Sequence, residues 1–286
     1  MVDYAAMWCL IIDIVLFYTF MGFEVSLYVV GDVHGCLDQL QMLMEKINYS
    51  SSDQIVFLGD YVGRGPNSLG VLQYLRKLEN AVCILGNHDL HLLYDYYVRS
   101  EKSRVNSDFL PIFSHPDVSE IMQWVRCLPL THMARGAFFV HAGLYPGWTA
   151  IEAQHLGEEA SSLLKGLKFE QYLSQMYGNL PNRWDSQLAG VERFRFVLNV
   201  FTRMRYLNGD GLLDFSESQA PINVKDKVPW YEKITNAPVI YFGHWASLEG
   251  QVHTDLLHSM DGGCVWGGSL MAMDIESGKR FEVKNA

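Results

Sequence analysis

The stretch QIVFLGDYVGRG, residues 54–65, joins a short apolar run to a glycine-rich polar loop. Gln54 to Leu58 has the length and composition of a buried strand, and Asp60 follows that strand closely. Pro66 suits the first turn of a helix, which then continues with apolar residues at helical spacing, Leu69, Leu72 and Leu75. The stretch therefore predicts a strand, a polar loop and a helix in succession.

Four other apolar runs end in the same way. Leu27 to Val30 leads to Asp32, Ala81 to Leu85 leads to Asn87, Ala137 to Val140 leads to His141, and Pro238 to Phe242 leads to His244. In open α/β sheets, ligand sites form at the carboxyl ends of strands, where loops from separate units converge. We expect all these ends to share one edge of a sheet, which predicts an α/β fold with a single site there.

The rest of the chain completes this fold. Leu37 to Ile47 has helical spacing, and residues 98–136 predict a loop followed by a short helix. Three later runs predict antiparallel strands that close the sheet: 256–260, 269–275 and 280–283. Residues 149–232 mix helix with irregular segments, and we interpret them as an insertion that caps the site within a single domain over residues 26–286.

The composition limits the class of function. The chain has 286 residues, of which 49% are hydrophobic and 13% aromatic, enough for one sizeable core. Its formal net charge of -10 argues against a nonspecific affinity for nucleic-acid backbones or anionic membranes. A polyanionic substrate must therefore be held locally, by metal ions or a few arginines. The five cysteines are an odd number without a CxxC pair, which favours a reducing compartment and a cytoplasmic location.

The N-terminal stretch from Ala5 to Phe23 is almost wholly apolar and approaches the length of about 17 to 25 residues that a membrane-spanning helix needs. A membrane anchor is disfavoured, because Asp13 costs about 2.5 to 3.5 kcal/mol on insertion and no Lys or Arg precedes Lys46. A packed extra helix is a second interpretation of residues 1–25. The preferred one is an extension that precedes a true start at Met21.

Six polar residues at the strand ends offer carboxylate, imidazole and amide ligands: Asp32, His34, Asp60, Asn87, His141 and His244. This mixture suits Mn, Fe, Co or Zn, whereas calcium and magnesium prefer oxygen ligands. A pair of divalent ions about 3.5 to 4 Å apart needs a carboxylate between them, and Asp60 is our candidate. Each residue alone is explained as well by helix capping, a turn or a core histidine. Their ordered occurrence after successive strands indicates a common metal site.

These motifs, D-x-H, GD-x-V-x-RG, GNHD, VHAG and FGHW, resemble the signature of the calcineurin-like metallophosphoesterases. The resemblance implies an α/β sandwich of mixed sheets flanked by helices, and two divalent transition-metal ions, with Mn or Co expected and Fe or Zn as alternatives. It implies that Asp32, His34 and Asp60 hold the first metal, and that Asp60, Asn87, His141 and His244 hold the second. It also makes His88 the acid near the leaving oxygen and Arg64 a phosphate clamp.

One departure from the phosphoprotein phosphatases of this superfamily bears on the substrate. Their GD-x-V-D-R-G motif carries an aspartate that supports the catalytic histidine, and the matching residue here is Gly63. An imidazole beside cations needs a carboxylate to stay protonated, and Asp89 could supply that charge by another route or leave His88 less supported. A nucleoside diphosphate leaves more readily than a serine alkoxide, so the departure favours phosphoanhydride substrates.

Longer runs narrow the resemblance to the bacterial symmetrical bis(5'-nucleosyl)-tetraphosphatases. They are GNHDLHLL from Gly86, FTRMR from Phe201, FGHWASLEG from Phe242 and DGGCVWGGSL from Asp261. The similarity extends from residue 27 to the end, although that family usually carries a threonine near Gly262. The resemblance implies hydrolysis of diadenosine tetraphosphate into two ADP.

The insertion is rich in arginine, which suits a polyphosphate substrate. Five arginines fall within 23 residues: Arg183, Arg193, Arg195, Arg203 and Arg205. Planar guanidinium groups bind phosphate oxygens in pairs. We favour Arg203 and Arg205 as substrate ligands, whereas Arg193 and Arg195 fit a solvated helix face equally well.

Three tryptophans could stack on adenine: Trp184, Trp245 and Trp266. Stacking of a base on an aromatic ring contributes about 1 to 3 kcal/mol in single-strand binders. We favour Trp245, because it directly follows the candidate ligand His244.

Two rival functions stay open at this point. A phosphoprotein phosphatase shares the core motifs and is disfavoured by Gly63. A catalytically silent nucleotide-sensing module would keep the groove, and the complete ligand set argues against it. Removal of dinucleoside-tetraphosphate-derived caps from RNA 5' ends would be the same chemical cut as hydrolysis of a dinucleoside polyphosphate.

Overall fold

The structure is a computed structural model that describes residues 25–100, 105–235 and 237–285. The predictions for the N-terminal extension fall on residues 1–24 and so lie outside the described residues. Within the described ranges, no helix combines the length and the apolar character that crossing a bilayer requires.

Strands and helices alternate over the first part of the chain, and strands follow one another after residue 205. The strands are β1 (Leu27–Val30), β2 (Gln54–Phe57), β3 (Ala81–Cys83), β4 (Thr131–Ala134), β5 (Ala137–Val140), β6 (Tyr206–Leu207), β7 (Leu213–Asp214), β8 (Val228–Pro229), β9 (Val239–Phe242), β10 (Leu257–Ser259), β11 (Asp261–Gly262), β12 (Ser269–Asp274) and β13 (Arg280–Lys284). The helices are α1 (Leu37–Lys46), α2 (Ser68–Leu75), α3 (Asn87–Tyr97), α4 (Leu110–Phe113), α5 (Val118–Arg126), α6 (Ala150–Lys165), α7 (Phe169–Leu173) and α8 (Gly190–Arg203).

The strands form two large sheets and one small sheet. The first large sheet has the order β11, β12, β1, β2, β3, with β13 paired to β12. In it β1, β2 and β3 run parallel, and β12 is antiparallel to β1. The second has the order β10, β9, β5, β4, in which only β4 is antiparallel to its neighbour. The small antiparallel sheet, with the order β7, β6, β8, lies in the predicted insertion.

Strand β1 is buried on both faces, which explains its unbroken apolar sequence. Successive side chains of a strand point to opposite faces of a sheet. Leu27 and Val29 join a cluster that contains residues from strands of both large sheets, such as Val56 of the first and Phe139 of the second. Tyr28 and Val30 join the larger cluster that contains the apolar residues of the helices, including Leu40, Leu43 and Leu72. The fold is therefore a sandwich of mixed sheets flanked by helices, as predicted.

Each predicted strand is present, but two statements about their arrangement were wrong. The parallel strands do not share one sheet, since β1 to β3 belong to the first sheet and β5 and β9 to the second. The run 256–260 was expected to be antiparallel, whereas β10 pairs parallel to β9, with Leu257 opposite Ile240. The long connection between β9 and β10 permits this, because parallel neighbours need a crossover. The short strands β4, β6, β7, β8 and β11 were not predicted.

Candidate active site

The predicted ligands meet where the strand ends of the two large sheets converge. Asp32 and His34 follow β1, Asp60 follows β2, Asn87 begins α3 after β3, His141 follows β5, and His244 follows β9. All of them except Asn87 are buried. The carboxyl ends of strands from different sheets thus form one site, as the edge of a single sheet was expected to do.

Asp60 lies at the centre of this group. Its Oδ2 is 3.4 Å from Nε2 of His34 and 3.6 Å from Nε2 of His141. Its Oδ1 accepts a hydrogen bond of 2.8 Å from the backbone N–H of His88. Two groups of residues could hold a metal ion, His34 with Asp60 and His88, and Asp60 with His141 and His244. Asp60 is common to both, which is the geometry that a carboxylate between two ions requires.

Backbone carbonyls fix the orientation of two of the imidazoles. Nδ1 of His34 lies 3.2 Å from the oxygen of Val62, and Nδ1 of His141 lies 2.8 Å from the oxygen of Leu58. Each Nδ1–H therefore donates to a carbonyl, which leaves the lone pair of Nε2 directed toward Asp60. Burial lowers the pKa of His141, so a second proton on that ring is disfavoured. A lone pair that faces a carboxylate at this distance is stabilised by a cation, and these side chains fit divalent metal ions.

Two further ligand atoms are buried and unpaired within the described residues. Oδ1 of Asp32 accepts a hydrogen bond of 3.0 Å from the backbone N–H of His244, but Oδ2 of Asp32 and Nε2 of His244 have no hydrogen-bond partner there. Buried polar atoms are normally paired. Burial, followed by the charges of Asp261 and Asp60, raises the pKa of Asp32. The site therefore needs added positive charge, as bound metal ions would provide.

The backbone is strained at several site residues. His34, Asp60 and His244 have φ values of 45°, 52° and 65°, and Arg64 has 68°. This left-handed region costs roughly 1 to 2 kcal/mol for each residue with a side chain. Packing of the surrounding strands holds these residues in place, so the strain marks the site as a preorganised one.

The imidazole ring of His88 lacks a hydrogen-bonding partner at Nδ1 among the described residues. That nitrogen is buried, and burial lowers the pKa of His88 to about 4. A Cβ added to Gly63 would stand 3.0 Å from that Nδ1. The residue that matches the supporting aspartate of phosphoprotein phosphatases therefore faces His88, but it has no side chain.

Asp89 does not replace that aspartate. Its Oδ2 accepts hydrogen bonds from the backbone N–H groups of Asp60, at 2.8 Å, and Gly86, at 2.9 Å. Its Oδ1 accepts a third, of 3.0 Å, from Tyr61. Of the two alternatives for Asp89, the contacts favour the one in which His88 is less supported, because both carboxylate oxygens accept hydrogen bonds from backbone N–H groups. Asp89 instead joins the loop after β2 to the start of α3.

Four of the candidate metal ligands line a cleft of about 870 Å³: His34, Asp60, Asn87 and His244. The residues that line it and carry charge, a ligand atom or an aromatic ring are His34, Asp60, Arg64, Asn87, His88, Arg205, His244, Glu249, Asp261, Trp266, Glu282 and Lys284. Asp261 was not predicted as a site residue, although it directly follows the predicted strand 256–260. It is buried, and burial raises its pKa.

The two predicted substrate arginines of the FTRMR run lie in different surroundings. Arg205 lines the cleft, donates a hydrogen bond of 3.0 Å to the backbone oxygen of His244, and has an unpaired Nε among the described residues. Arg203 is not among the residues that line the cleft. Its guanidinium instead donates to Oδ1 of Asn199 at 2.8 Å and to Oδ1 of Asn179 at 3.1 Å. The geometry therefore favours Arg205 over Arg203 as a contact for phosphate.

Trp245 is not placed to stack on a base, which corrects the preferred interpretation of that residue. It is only 2% exposed, and its ring packs edge-on against Tyr206 with 4.8 Å between centroids. Its Nε1–H donates to the backbone oxygen of Ser218 at 3.2 Å. Trp245 therefore belongs to the core, although it directly follows the candidate ligand His244 in the sequence.

The sequence pattern of the calcineurin-like phosphoesterases matches residues 25–248. The chain belongs to this family. It is 40% identical over 260 residues to the symmetrical bis(5'-nucleosyl)-tetraphosphatase of Cellvibrio japonicus, an alignment that covers 88% of this chain and 96% of that protein. The enzyme of the same name from Psychromonas ingrahamii is 40% identical over 264 residues, which cover 89% of this chain and 95% of that protein.

Solved structures share the phosphoesterase fold. The crystal structure of a candidate diadenosine tetraphosphatase superimposes with a TM-score of 0.61 at 24% identity and covers 92% of this chain and 96% of its own. A serine/threonine phosphatase from Saccharomyces cerevisiae has a TM-score of 0.50 at 16% identity, with 91% and 79% covered. These similarities concern the fold alone.

Proposed function

We propose that this chain hydrolyses diadenosine tetraphosphate at its central bridge and releases two molecules of ADP. The observation that carries the proposal is the position of Asp60, which belongs to both groups of potential ligands at the floor of the cleft. The relatives named symmetrical bis(5'-nucleosyl)-tetraphosphatase, at 40% identity over most of the chain, support the choice of substrate.

The metal ligands of the proposed enzyme fall into two sets. Asp32, His34 and Asp60 would hold one divalent ion, and Asp60, Asn87, His141 and His244 would hold the other. A site of imidazole and carboxylate groups without thiolate suits Mn or Co, with Fe or Zn as alternatives. When bound, such ions neutralise charge on the phosphoryl oxygens and activate water for attack.

Arg64 and Arg205 would hold the polyphosphate chain. Both line the cleft, and a planar guanidinium binds two phosphate oxygens at once. Arg205 is half-buried beside acidic groups, so water screens its charge less than that of an exposed arginine. Symmetric products require that these contacts place the central bridge, and not a terminal one, next to Asp60.

His88 is our candidate acid near the leaving oxygen, and Asp89 is a positioning residue. Because the ring of His88 lacks the support of a carboxylate at Gly63, its protonated form would be sparsely populated near neutral pH and would contribute little acid catalysis. ADP is a good leaving group and needs less protonation than a serine alkoxide. This geometry supports a phosphoanhydride substrate over a phosphoprotein.

The test is an analysis of products by chromatography. The protein is incubated with diadenosine tetraphosphate and with a phosphoserine peptide, each in the presence of Mn²⁺ or Co²⁺ and of excess chelator. We expect ADP as the sole nucleotide product, formed only with metal, and little release of phosphate from the peptide. Formation of ATP and AMP would contradict the symmetric register, and faster cleavage of the peptide would contradict the substrate class.

A further inference from the structure

Trp266 is an exposed aromatic side chain in the same cleft as the candidate metal ligands. It is 64% exposed, whereas Trp230 and Trp245 are 0% and 2% exposed. The indole lines the cleft together with Asp60, His88 and Arg205. Exposure of so large an apolar surface is unfavourable, and a single exposed aromatic side chain beside a polar site suits contact with a ligand.

The backbone that carries Trp266 is tightly held. Cys264 to Trp266 form one 3-10 turn between β11 and β12, and the N–H of Trp266 donates to the oxygen of Gly263 at 2.9 Å. Gly263 and Gly267 flank the turn with φ values of 68° and 85°, which favour glycine. The N–H of Gly268 also donates to the oxygen of Gly263, at 3.0 Å. The ring is therefore presented from a fixed turn.

Arg64 links the indole to the metal ligands. Its guanidinium carbon lies 4.9 Å from the ring centroid of Trp266, within the range of a cation–π contact. The backbone N–H of Arg64 is held by Oδ2 of Asp108 at 2.8 Å. The indole, the guanidinium and the candidate metal site thus follow one another along the cleft. A nucleoside polyphosphate has a matching order, with an aromatic base at one end and phosphates beyond it.

We propose that one purine base of the substrate stacks on Trp266 while Arg64 binds a phosphate of the same nucleotide. The inference rests on the proposed function and adds the residue that recognises the nucleoside. Stacking tolerates different bases, because every base has an aromatic face. Guanosine and adenosine nucleotides should therefore bind with similar affinity.

The test is calorimetric titration of ADP and of pyrophosphate into the protein with Mn²⁺ present. Trp266→Ala is expected to weaken ADP binding about 5- to 150-fold, which corresponds to the loss of one stacked base, and pyrophosphate binding less than about twofold. Trp266→Phe keeps an aromatic face and should lose less affinity for ADP. Ile151→Ala is a matched control, since Ile151 is 65% exposed on α6 and lies outside the cleft.

Several outcomes would overturn the inference. Equal weakening for ADP and pyrophosphate would mean that Trp266 only positions Arg64. An unchanged dissociation constant for ADP in Trp266→Ala, or no binding of ADP to the wild type, would exclude a stacked base. Failure of the proposed function is seen separately, because the wild type would then bind ADP but leave diadenosine tetraphosphate intact.

Discussion

Gly63 faces His88, and a Cβ added to Gly63 would stand 3.0 Å from Nδ1 of the histidine. That nitrogen is buried and without a hydrogen-bond partner among the described residues. The position from which an aspartate would support the imidazole is therefore present in the fold but lacks a side chain. The arrangement suits a reaction in which the leaving group needs little protonation.

The first prediction tests this relationship with Gly63→Asp. A carboxylate beside Nδ1 should favour the protonated imidazole, after His88 shifts by a few tenths of an ångström. A serine alkoxide needs protonation to leave and ADP does not, so the ratio of kcat/KM for a phosphoserine peptide to that for diadenosine tetraphosphate should rise about tenfold or more. Steady-state kinetics on both substrates, at the same Mn²⁺ concentration, measure the ratio.

Gly63→Asn is the matched control, because Asn has to adopt the same left-handed φ of 81° as Asp but carries no charge. Asn and Asp tolerate this region better than other side chains, so both variants should fold. If Gly63→Asn raises the ratio as much as Gly63→Asp, the charge is not the cause and the interpretation of Gly63 is wrong.

The second prediction concerns Asp60. Asp60→Ala removes the carboxylate common to both ligand groups, so turnover should fall at least about a thousandfold. Saturating Mn²⁺, at about 100 times its dissociation constant, should stabilise the wild type by about 2.7 kcal/mol and the variant by much less. Thermal unfolding with and without Mn²⁺ measures this difference.

Asp210→Ala serves as its control, since Asp210 is an exposed residue of a turn outside the cleft. It should keep both the activity and the Mn²⁺-dependent stabilisation of the wild type. A fully active Asp60→Ala variant with metal still bound would refute the role of Asp60.

The third prediction compares two arginines that are two residues apart. Arg205→Ala should lower kcat/KM for diadenosine tetraphosphate about 100-fold, because Arg205 lines the cleft. Arg203→Ala should change kcat/KM less than about threefold and cost about 1 kcal/mol of stability, since Arg203 binds Asn179 and Asn199. A larger kinetic effect at Arg203 than at Arg205 would reverse this assignment.

The convergence of the candidate metal ligands could be predicted because each follows its strand after only a few residues. A strand end restricts the position of the next few residues, and the order of such ends along the chain is visible in the sequence. Asp32, Asp60 and His141 illustrate this, since each lies within three residues of the last residue of its strand. Asp261 comes two residues after β10, but it is also the first residue of the two-residue strand β11, which is too short to give a pattern in the sequence.

The substrate contacts could not be predicted from proximity in sequence. Trp245 adjoins His244, but neighbouring side chains point in different directions, and the left-handed φ of 65° at His244 turns the chain further. Arg203 is the last residue of α8, and Arg205 immediately precedes β6, so the direction of the chain changes between them. The strands of the small sheet have two residues each, too few for an alternating pattern.

The final prediction concerns Asp89, whose carboxylate accepts hydrogen bonds from the backbone of Asp60, Tyr61 and Gly86. Asp89→Asn keeps the shape but turns one acceptor into an N–H₂ group that faces backbone donors. A buried donor left without an acceptor costs about 1 to 3 kcal/mol. Urea unfolding in excess chelator should show that loss, which then includes no contribution from metal binding.

Asp60→Asn under the same conditions distinguishes the loss of hydrogen bonds to the backbone from a general effect of removing a buried charge. Asn at position 60 can still accept from the N–H of His88, and it removes a carboxylate that faces Asp32 and Asp261. The same carboxylate is attracted by His34, His88 and His141, which offsets that repulsion, so Asp60→Asn should lose less metal-free stability than Asp89→Asn. If the two variants lose the same stability, charge and not the three amide contacts governs Asp89, and its assignment as a positioning residue fails.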